Sequence, residues 1–481
     1  MSNVFYRSVN KDYLEVDHGE GIYLFDKAGK KYIDACAGAA VANLGHAHPR
    51  IIDAMMQQAK KVAFSHLSRW TSEPIQGLAD LIASLAPGSL SKLYLVSGGS
   101  EATESALKMA RQYYVERDGQ SSKYRIISRW KSFHGNTIGS LSMTGDKRRK
   151  KYTPLLLNFP HIAPAYCYRC PFGKSQDTCQ VDCALDLERA IKMEGAEYIA
   201  AFIAESVGGA ACGAIVPHKD YFKLIRQICD HYDILFIDDE VMAGFGRTGS
   251  MFSIEDWGVV PDMICAAKGM SAGYSPLGAV IAKEEIYNTF KQGSGVFVHG
   301  HTYGGNPLSA AVALAVVKTL VEDKVVANAR IVGDYLLAQL REKLLPFSYV
   351  GDVRGKGLML GVEMVKDKVT KEPFPVSMGV AEKLTVTLMK HGVIVYPGNG
   401  NADGENGDQF LLAPPLIITK EQADELIEGL VAGFSEFDNM IGQMKYEVKI
   451  YGEINHNHRT YRECTDERYD SSCSCNARGN C

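Results

Sequence analysis

Short, continuous apolar runs alternate with amphipathic windows through the middle of the chain. Leu93–Val96, Ile126-Ile127, Ile199–Ile203, Ile234–Ile237 and Ala279–Ile281 are strand-like, and Glu101–Arg111 and Tyr221–Tyr232 have helical spacing. Apolar strands of this kind, alternating with helices, predict a buried, mostly parallel sheet covered on both faces. After Asn306-Pro307 the pattern changes. One long helical run covers Leu308–Leu344, followed by shorter strands near Leu358–Glu363, Val393–Tyr396 and Gln409–Leu412 and an amphipathic helix over Lys420–Phe437. The expectation is an α/β protein with a large domain over 61–307 and a smaller α+β domain over 308–444. Residues 1–60 form an N-terminal segment packing with the small domain. Residues 445–481 are polar and rich in Asn, Arg, Ser and Cys, too poor in aliphatic side chains to build a core, so a disordered tail is expected.

Composition narrows the classes. The 481 residues suit two or three domains, and 46% hydrophobic with 22% charged residues is ordinary for a globular protein. A net charge of −4 gives no field for nucleic acid or an anionic membrane. The first 17 residues are polar without an apolar segment of the secretory type, and no run of about 18 apolar residues exists to span a bilayer. A cytoplasmic location without nucleic-acid or membrane partners is expected. Of twelve cysteines, Cys36, Cys212, Cys229 and Cys265 lie in apolar segments and read as buried small hydrophobes.

Candidate chemistry sits where strands end. Val96-Ser-Gly-Gly-Ser-Glu-Ala-Thr-Glu104 follows a strand and opens a helix, a turn whose backbone N–H groups can meet a phosphate. Leu235-Phe-Ile-Asp-Asp-Glu-Val241 is an apolar strand running into three acids. Ligands bind at that edge of an open α/β sheet, and an acid there can hold a pyridine nitrogen protonated. The glycine-rich Gly244-Phe-Gly-Arg-Thr-Gly249 follows at once. In Pro261–Met270 a short apolar strand ends near Lys268, whose desolvation would lower its pKa and leave an amine able to attack an aldehyde. Ser132-Phe-His-Gly135 places an aromatic ring at a sheet edge, and His299–Pro307 is a polar, glycine-containing junction between the domains.

Taken together, Ser97–Ala102, Asp239-Glu-Val241 with Gly244–Gly249, Lys268-Gly269, and Thr302 with Asn306-Pro307 resemble the class III (ω-)aminotransferases, pyridoxal-5′-phosphate (PLP) enzymes of fold type I, over roughly residues 15–440. The resemblance implies a seven-stranded, mostly parallel sheet between helices. It implies that Gly99 and Ser100 hold the PLP phosphate and that Phe133 and Val241 press on the two faces of the ring. His134 and Gly135 complete the motif around Phe133, Asp239 pairs with the pyridine nitrogen, and Glu205 is an acid near the cofactor. Lys268 is the Schiff-base lysine, and Thr302 reaches the phosphate of a neighbouring subunit in a homodimer with shared active sites. The implied reaction passes an amino group from a donor amine to a keto acid by ping-pong steps, with Lys268 as proton shuttle. An aminomutase, a diaminopelargonate-synthase-like aminotransferase and a non-catalytic PLP-fold binding protein are the alternatives.

Departures from the family pattern bear on substrates. Relatives that use glutamate and 2-oxoglutarate carry an arginine where Leu411 stands here, and GABA-type enzymes carry a glutamate where Ala210 stands. Without that carboxylate clamp, pyruvate is favoured over 2-oxoglutarate as acceptor. Ala39-Ala40 replaces a Trp-Trp pair of the biotin-pathway relatives, and Trp70 reads as a structural aromatic, with a place in the pocket wall as the other reading. Cys167-x₂-Cys170 and Cys179-x₃-Cys183 have a spacing that could bind a structural zinc, with four reduced thiols or one labile disulfide as the other readings.

Overall fold

The computed structural model describes residues 3–441. The disorder expected for 445–481 falls outside the described residues. The main sheet has seven strands in the spatial order Leu90–Val96, Gly278–Lys283, Met263–Ala266, Leu235–Asp239, Ile199–Glu205, Arg125–Arg129 and His161–Ile162. Gly278–Lys283 runs antiparallel to both neighbours, and the other pairings are parallel. The sheet is the mostly parallel one that the apolar runs imply.

Its two faces are packed by different residues of the same strands, as the period-2 alternation of a strand requires. Leu235 and Ile237 join Ala200, Ile203, Met263 and Cys265 against the helix Gly99–Asp118, which buries Ala102, Ala106, Ala110 and Tyr114 there. Phe236 faces the other way with Phe202 and Phe222, the rings of Phe202 and Phe222 each stacked on it. Each such buried aromatic contributes about 1.5–3 kcal/mol. The alternation also sets the acids apart: Asp239 lies on the face of Leu235 and Ile237, whereas Asp238 and Glu240 point to the other.

Beyond the large sheet, Val350–Lys356, Met359–Met364, Asp408–Leu412 and Tyr396–Asn399 form an antiparallel sheet. A third sheet holds Val16–Glu20, Tyr23–Asp26 and Lys31–Asp34, and Val393–Ile394 joins Lys31–Asp34 in parallel. The run expected as one strand over Val393–Tyr396 is thus divided between two sheets. The single helical run expected over Leu308–Leu344 is two helices, Pro307–Glu322 and Val325–Leu344. Lys324 between them is left-handed, with φ of 55°, which ends one helix and turns the chain into the next. Asn306 starts the first by accepting a hydrogen bond from the Ser309 amide at 2.9 Å, with Pro307 in the first turn. Cys36, Cys212, Cys229 and Cys265 are buried free thiols. Among the described residues no helix is long and apolar enough to cross a membrane.

Arg247, in the glycine-rich loop, is fully buried at the seam between the sheets. It donates to the carbonyls of Leu358 (3.0 Å) and Pro414 (2.5 Å) and to Asn43 Oδ1 (2.8 Å). Burial pulls its pKa down to about 9, opposed by Asp34. Arg247→Met would keep the bulk but strand three buried acceptors. The expected cost is roughly 3 kcal/mol or more, read as a lower urea midpoint at unchanged m-value.

Candidate active site

Three adjacent strand ends converge at one edge of the large sheet. In the parallel register Glu205 pairs with Asp239, and Asp239 with Cys265, two residues before Ala267-Lys268. Lys268 has a left-handed backbone, φ of 44°, a conformation that costs an ordinary residue about 1–2 kcal/mol. Opposite, the helix Gly99–Asp118 begins directly after strand Leu90–Val96 and the turn Ser97-Gly98. Between these elements lies a cavity of about 390 Å³. Gly99, Ser100, Phe133, His134, Gly135, Glu205, Asp239, Val241 and Lys268 all line it. Thr302 does not; it is exposed in the junction before helix Pro307–Glu322.

The acids are held by specific donors. Asp239 accepts from the Val241 amide at Oδ1 (3.0 Å) and from His134 Nδ1 at Oδ2 (2.7 Å). His134 is itself fixed through its backbone, its N–H donating to Thr144 Oγ1 (2.9 Å) and its carbonyl accepting from Thr103 Oγ1 (2.6 Å). Its side chain is fully buried. Glu205 accepts from the amides of Phe133 (2.7 Å) and Gly209, and burial raises its pKa against the opposing pull of His134. Lys268 is enclosed by protein, its remaining surface facing the cavity. Burial lowers its pKa to about 8, with Asp239 and Glu205 opposing. About a tenth of such an amine is neutral at pH 7.

The glycines permit close approach. A Cβ on Gly99 would lie 2.7 Å from Val241 Cγ1, and Gly135, at φ of 138°, would put one 2.7 Å from Ser100 Oγ. The Ser100 hydroxyl accepts from the Asn136 amide (3.0 Å), which leaves its own proton for a ligand. The lining therefore fits PLP on its own chemistry. First-turn amides and a hydroxyl suit a phosphate, Asp239 suits a protonated ring nitrogen, Phe133 and Val241 are apolar walls, and Lys268 is an amine for an aldehyde.

The expected zinc site is not formed. Among the described residues no three or more His, Cys, Asp or Glu side chains are placed to hold one ion. Cys167, Cys170, Cys179 and Cys183 are free thiols. Cys179 Sγ is engaged by the Val181 amide (3.0 Å) and Asp182 (3.7 Å). Cys183 lies in the first turn of the helix Asp182–Glu194 and packs on the core, where burial raises its pKa to about 12.

Leu411 is fully buried in strand Asp408–Leu412 and does not line the cavity, whereas Ala210 does. Trp70, 68% exposed, is away from it. Two features had no signal in the sequence. Arg148 lies 4.4 Å above the ring of Phe133. Glu363, itself fully buried, gathers Arg169 (2.6 Å), Arg354 (2.8 Å) and the Tyr166 hydroxyl, tying the cysteine-containing segment to the antiparallel sheet. Against burial, Arg354 and Arg169 hold the Glu363 pKa below its usual value. These partners are far apart in sequence, and only folding brings them together.

A lysine and a histidine-braced aspartate at the edge of this sheet, facing a glycine-opened helix, define a PLP-dependent transferase of fold type I. Residues 5–433 match the family model described as Aminotransferase class-III. The chain belongs to the class III aminotransferases. An uncharacterised aminotransferase of Bacillus subtilis is 39% identical over 416 residues, 86% of this chain and 93% of that protein. A putrescine–pyruvate aminotransferase of Pseudomonas aeruginosa is 36% identical over 414 residues, 86% of this chain and 88% of its own length. A PLP-bound amine transaminase from an uncultivated Pseudomonas species superposes with a TM-score of 0.82 at 33% identity, covering 91% of this chain and 98% of that one.

Proposed function

We propose that this aminotransferase moves an amino group from an amine or a β- or ω-amino acid to a keto acid, with pyruvate preferred over 2-oxoglutarate. The observation that carries the acceptor preference is the fully buried Leu411, with Ala210 on the cavity wall. Position 411 lacks the arginine with which clamp-bearing relatives hold a second carboxylate, and position 210 lacks the glutamate that pairs with that arginine when the carboxylate is absent.

The residues divide the work as follows. The first-turn amides at Gly99 and Ser100 and the Ser100 hydroxyl would bind the phosphate of PLP, and Asp239 Oδ2, shared with His134, would accept the ring N–H. Bound there, PLP supplies the electron sink for the carbanion formed at the donor carbon. Phe133 and Val241 fix the plane in which that carbon is presented. Gly135 keeps the approach to Ser100 open, and Glu205 anchors the backbone of Phe133 and Gly209. Lys268 Nζ takes the proton from the donor carbon, which requires the neutral amine that burial favours. The reverse sequence with a keto acid returns it.

Thr302 lies outside the cavity and is exposed, which suits a residue that completes the site of a second copy in a homodimer. Thr302→Ala is expected to weaken PLP retention about tenfold, with a dimeric mass in light scattering unchanged. A monomeric wild type with full activity would end that assignment. The acceptor preference is tested by kcat/KM for pyruvate and 2-oxoglutarate with one common donor. At least a tenfold advantage for pyruvate is expected, and equal values would overturn it.

A further inference from the structure

A second cleft, of about 850 Å³, adjoins the cofactor cavity, and Ala210 lines both. Its walls come from the segment 145–150, from 396–404 and from the N-terminal residue Arg7. Six cationic side chains line it: Arg7, Lys131, Lys147, Arg148, Arg149 and Lys150. Three carboxylates do so as well: Asp146, Glu382 and Asp403.

The charges are not cancelled. Among the described residues only Arg148 of the six stands within 4 Å of a carboxylate, Asp146 at 3.2 Å. Lys131 donates to the carbonyls of Ala402 (2.6 Å) and Asn401, Lys147 to Asn399 Oδ1, and Lys150 to the Gly404 carbonyl (3.2 Å). Arg149 lies beside His161 and over the Trp130 ring at 5.4 Å. Asp403 is engaged with the amides of Glu405 (2.8 Å) and Asn406 (2.7 Å) in its own turn. A concave surface on which six cations outnumber three carboxylates, set between low-dielectric walls, concentrates negative charge. Arg148, stacked on Phe133, brings that field to the wall of the cofactor cavity.

We propose that this cleft is the subsite for an anionic group at the far end of the amino donor, with Ala210 marking the passage between the two spaces. The inference rests on the aminotransferase reading above and sharpens it. The preferred donor carries its amine at Lys268 and a carboxylate or phosphate several carbons away, beyond Ala210. Where a glutamate side chain would project at Ala210, the methyl group leaves room for a carbon chain. A diamine of equal length would place its second ammonium among the cations, so this chain discriminates against donors of the putrescine type.

The test compares three donors of one length, with pyruvate as acceptor: 6-aminohexanoate, hexylamine and 1,6-diaminohexane, followed by aminoalkanoates from four to eight carbons. The expected order in kcat/KM is aminohexanoate above hexylamine above the diamine. At least tenfold should separate the first from the last, with an optimum length that measures the distance to the cleft. The double variant Lys147→Glu/Lys150→Glu, at two exposed positions, should invert the order of aminohexanoate and diamine while hexylamine turnover stays within twofold. Added phosphate should inhibit wild-type turnover of aminohexanoate more than that of hexylamine, and the variant should lose this difference. A wild type that prefers the diamine, or an order unchanged in the variant, overturns the subsite. No turnover with any donor would instead overturn the aminotransferase reading beneath it.

Discussion

Lys268→Ala is expected to lower turnover by about four orders of magnitude, the upper range for loss of a positioned acid–base group. Among the residues lining the cavity it is the only amine, so no neighbour can replace it as proton carrier or as partner of an aldehyde. Its side chain is aimed into the cavity from a left-handed backbone position just beyond strand Met263–Ala266, and alanine there leaves Asp239 and His134 in place. The variant should therefore fold and lose its catalytic amine. The wild-type apoprotein offers a companion reading. Burial lowers the Lys268 pKa to about 8, so the neutral amine prevails above that pH and is lost as pH falls. The rate at which the apoprotein captures PLP should fall about tenfold per pH unit below 8 and level off above it. An unperturbed lysine, with a pKa of about 10.4, would still be gaining rate at pH 10. Turnover of Lys268→Ala within tenfold of wild type would remove it from the chemistry.

Asp239→Asn is expected to cost about three orders of magnitude in turnover, in the middle of the range for a preorganised charge or acid–base partner. The substitution is nearly isosteric, and Asn can still accept from the Val241 amide. It removes the carboxylate that accepts from His134 Nδ1, and an amide N–H directed at either partner would meet a donor. The phosphate-binding end, at Gly99 and Ser100, is built on another element and is untouched. PLP should thus still bind, with turnover reduced and the apparent dissociation constant changed by less than about tenfold. A variant that retains wild-type turnover would show that Asp239 does not tune the ring.

Both expectations rest on residues legible in the sequence, and the reason is local. Asp239, Glu205 and Lys268 each end an apolar strand or follow it closely, so the pattern places them at the same sheet edge before any coordinates exist. Phe133 to Gly135 and Gly99-Ser100 follow strands in the same way. What the pattern could not reveal depends on contacts distant in sequence. Arg247 reads as a loop residue but bridges Leu358, Pro414 and Asn43 from a fully buried position. Glu363 reads as part of a strand but is the centre of a buried charge network. The helical period runs unbroken through Asp323-Lys324, and nothing in it signals that Lys324 turns left-handed. The cysteine spacing suggested zinc because spacing says nothing about where the thiols point. Helix Asp182–Glu194 turns Cys183 into the core, and Cys179 bonds its own turn. The cleft in which Lys147, Arg148, Arg149 and Lys150 meet Ala210 likewise exists only once the chain is folded.

The central claim is amino transfer through Lys268. It is tested most directly by the visible spectrum of the PLP-loaded protein during the two half-reactions. A band above 400 nm should bleach on addition of an amino donor alone and return on addition of pyruvate, and Lys268→Ala should show no such cycle. A loaded protein whose band is unmoved by every donor, or one that bleaches and recovers equally well without Lys268, would contradict it.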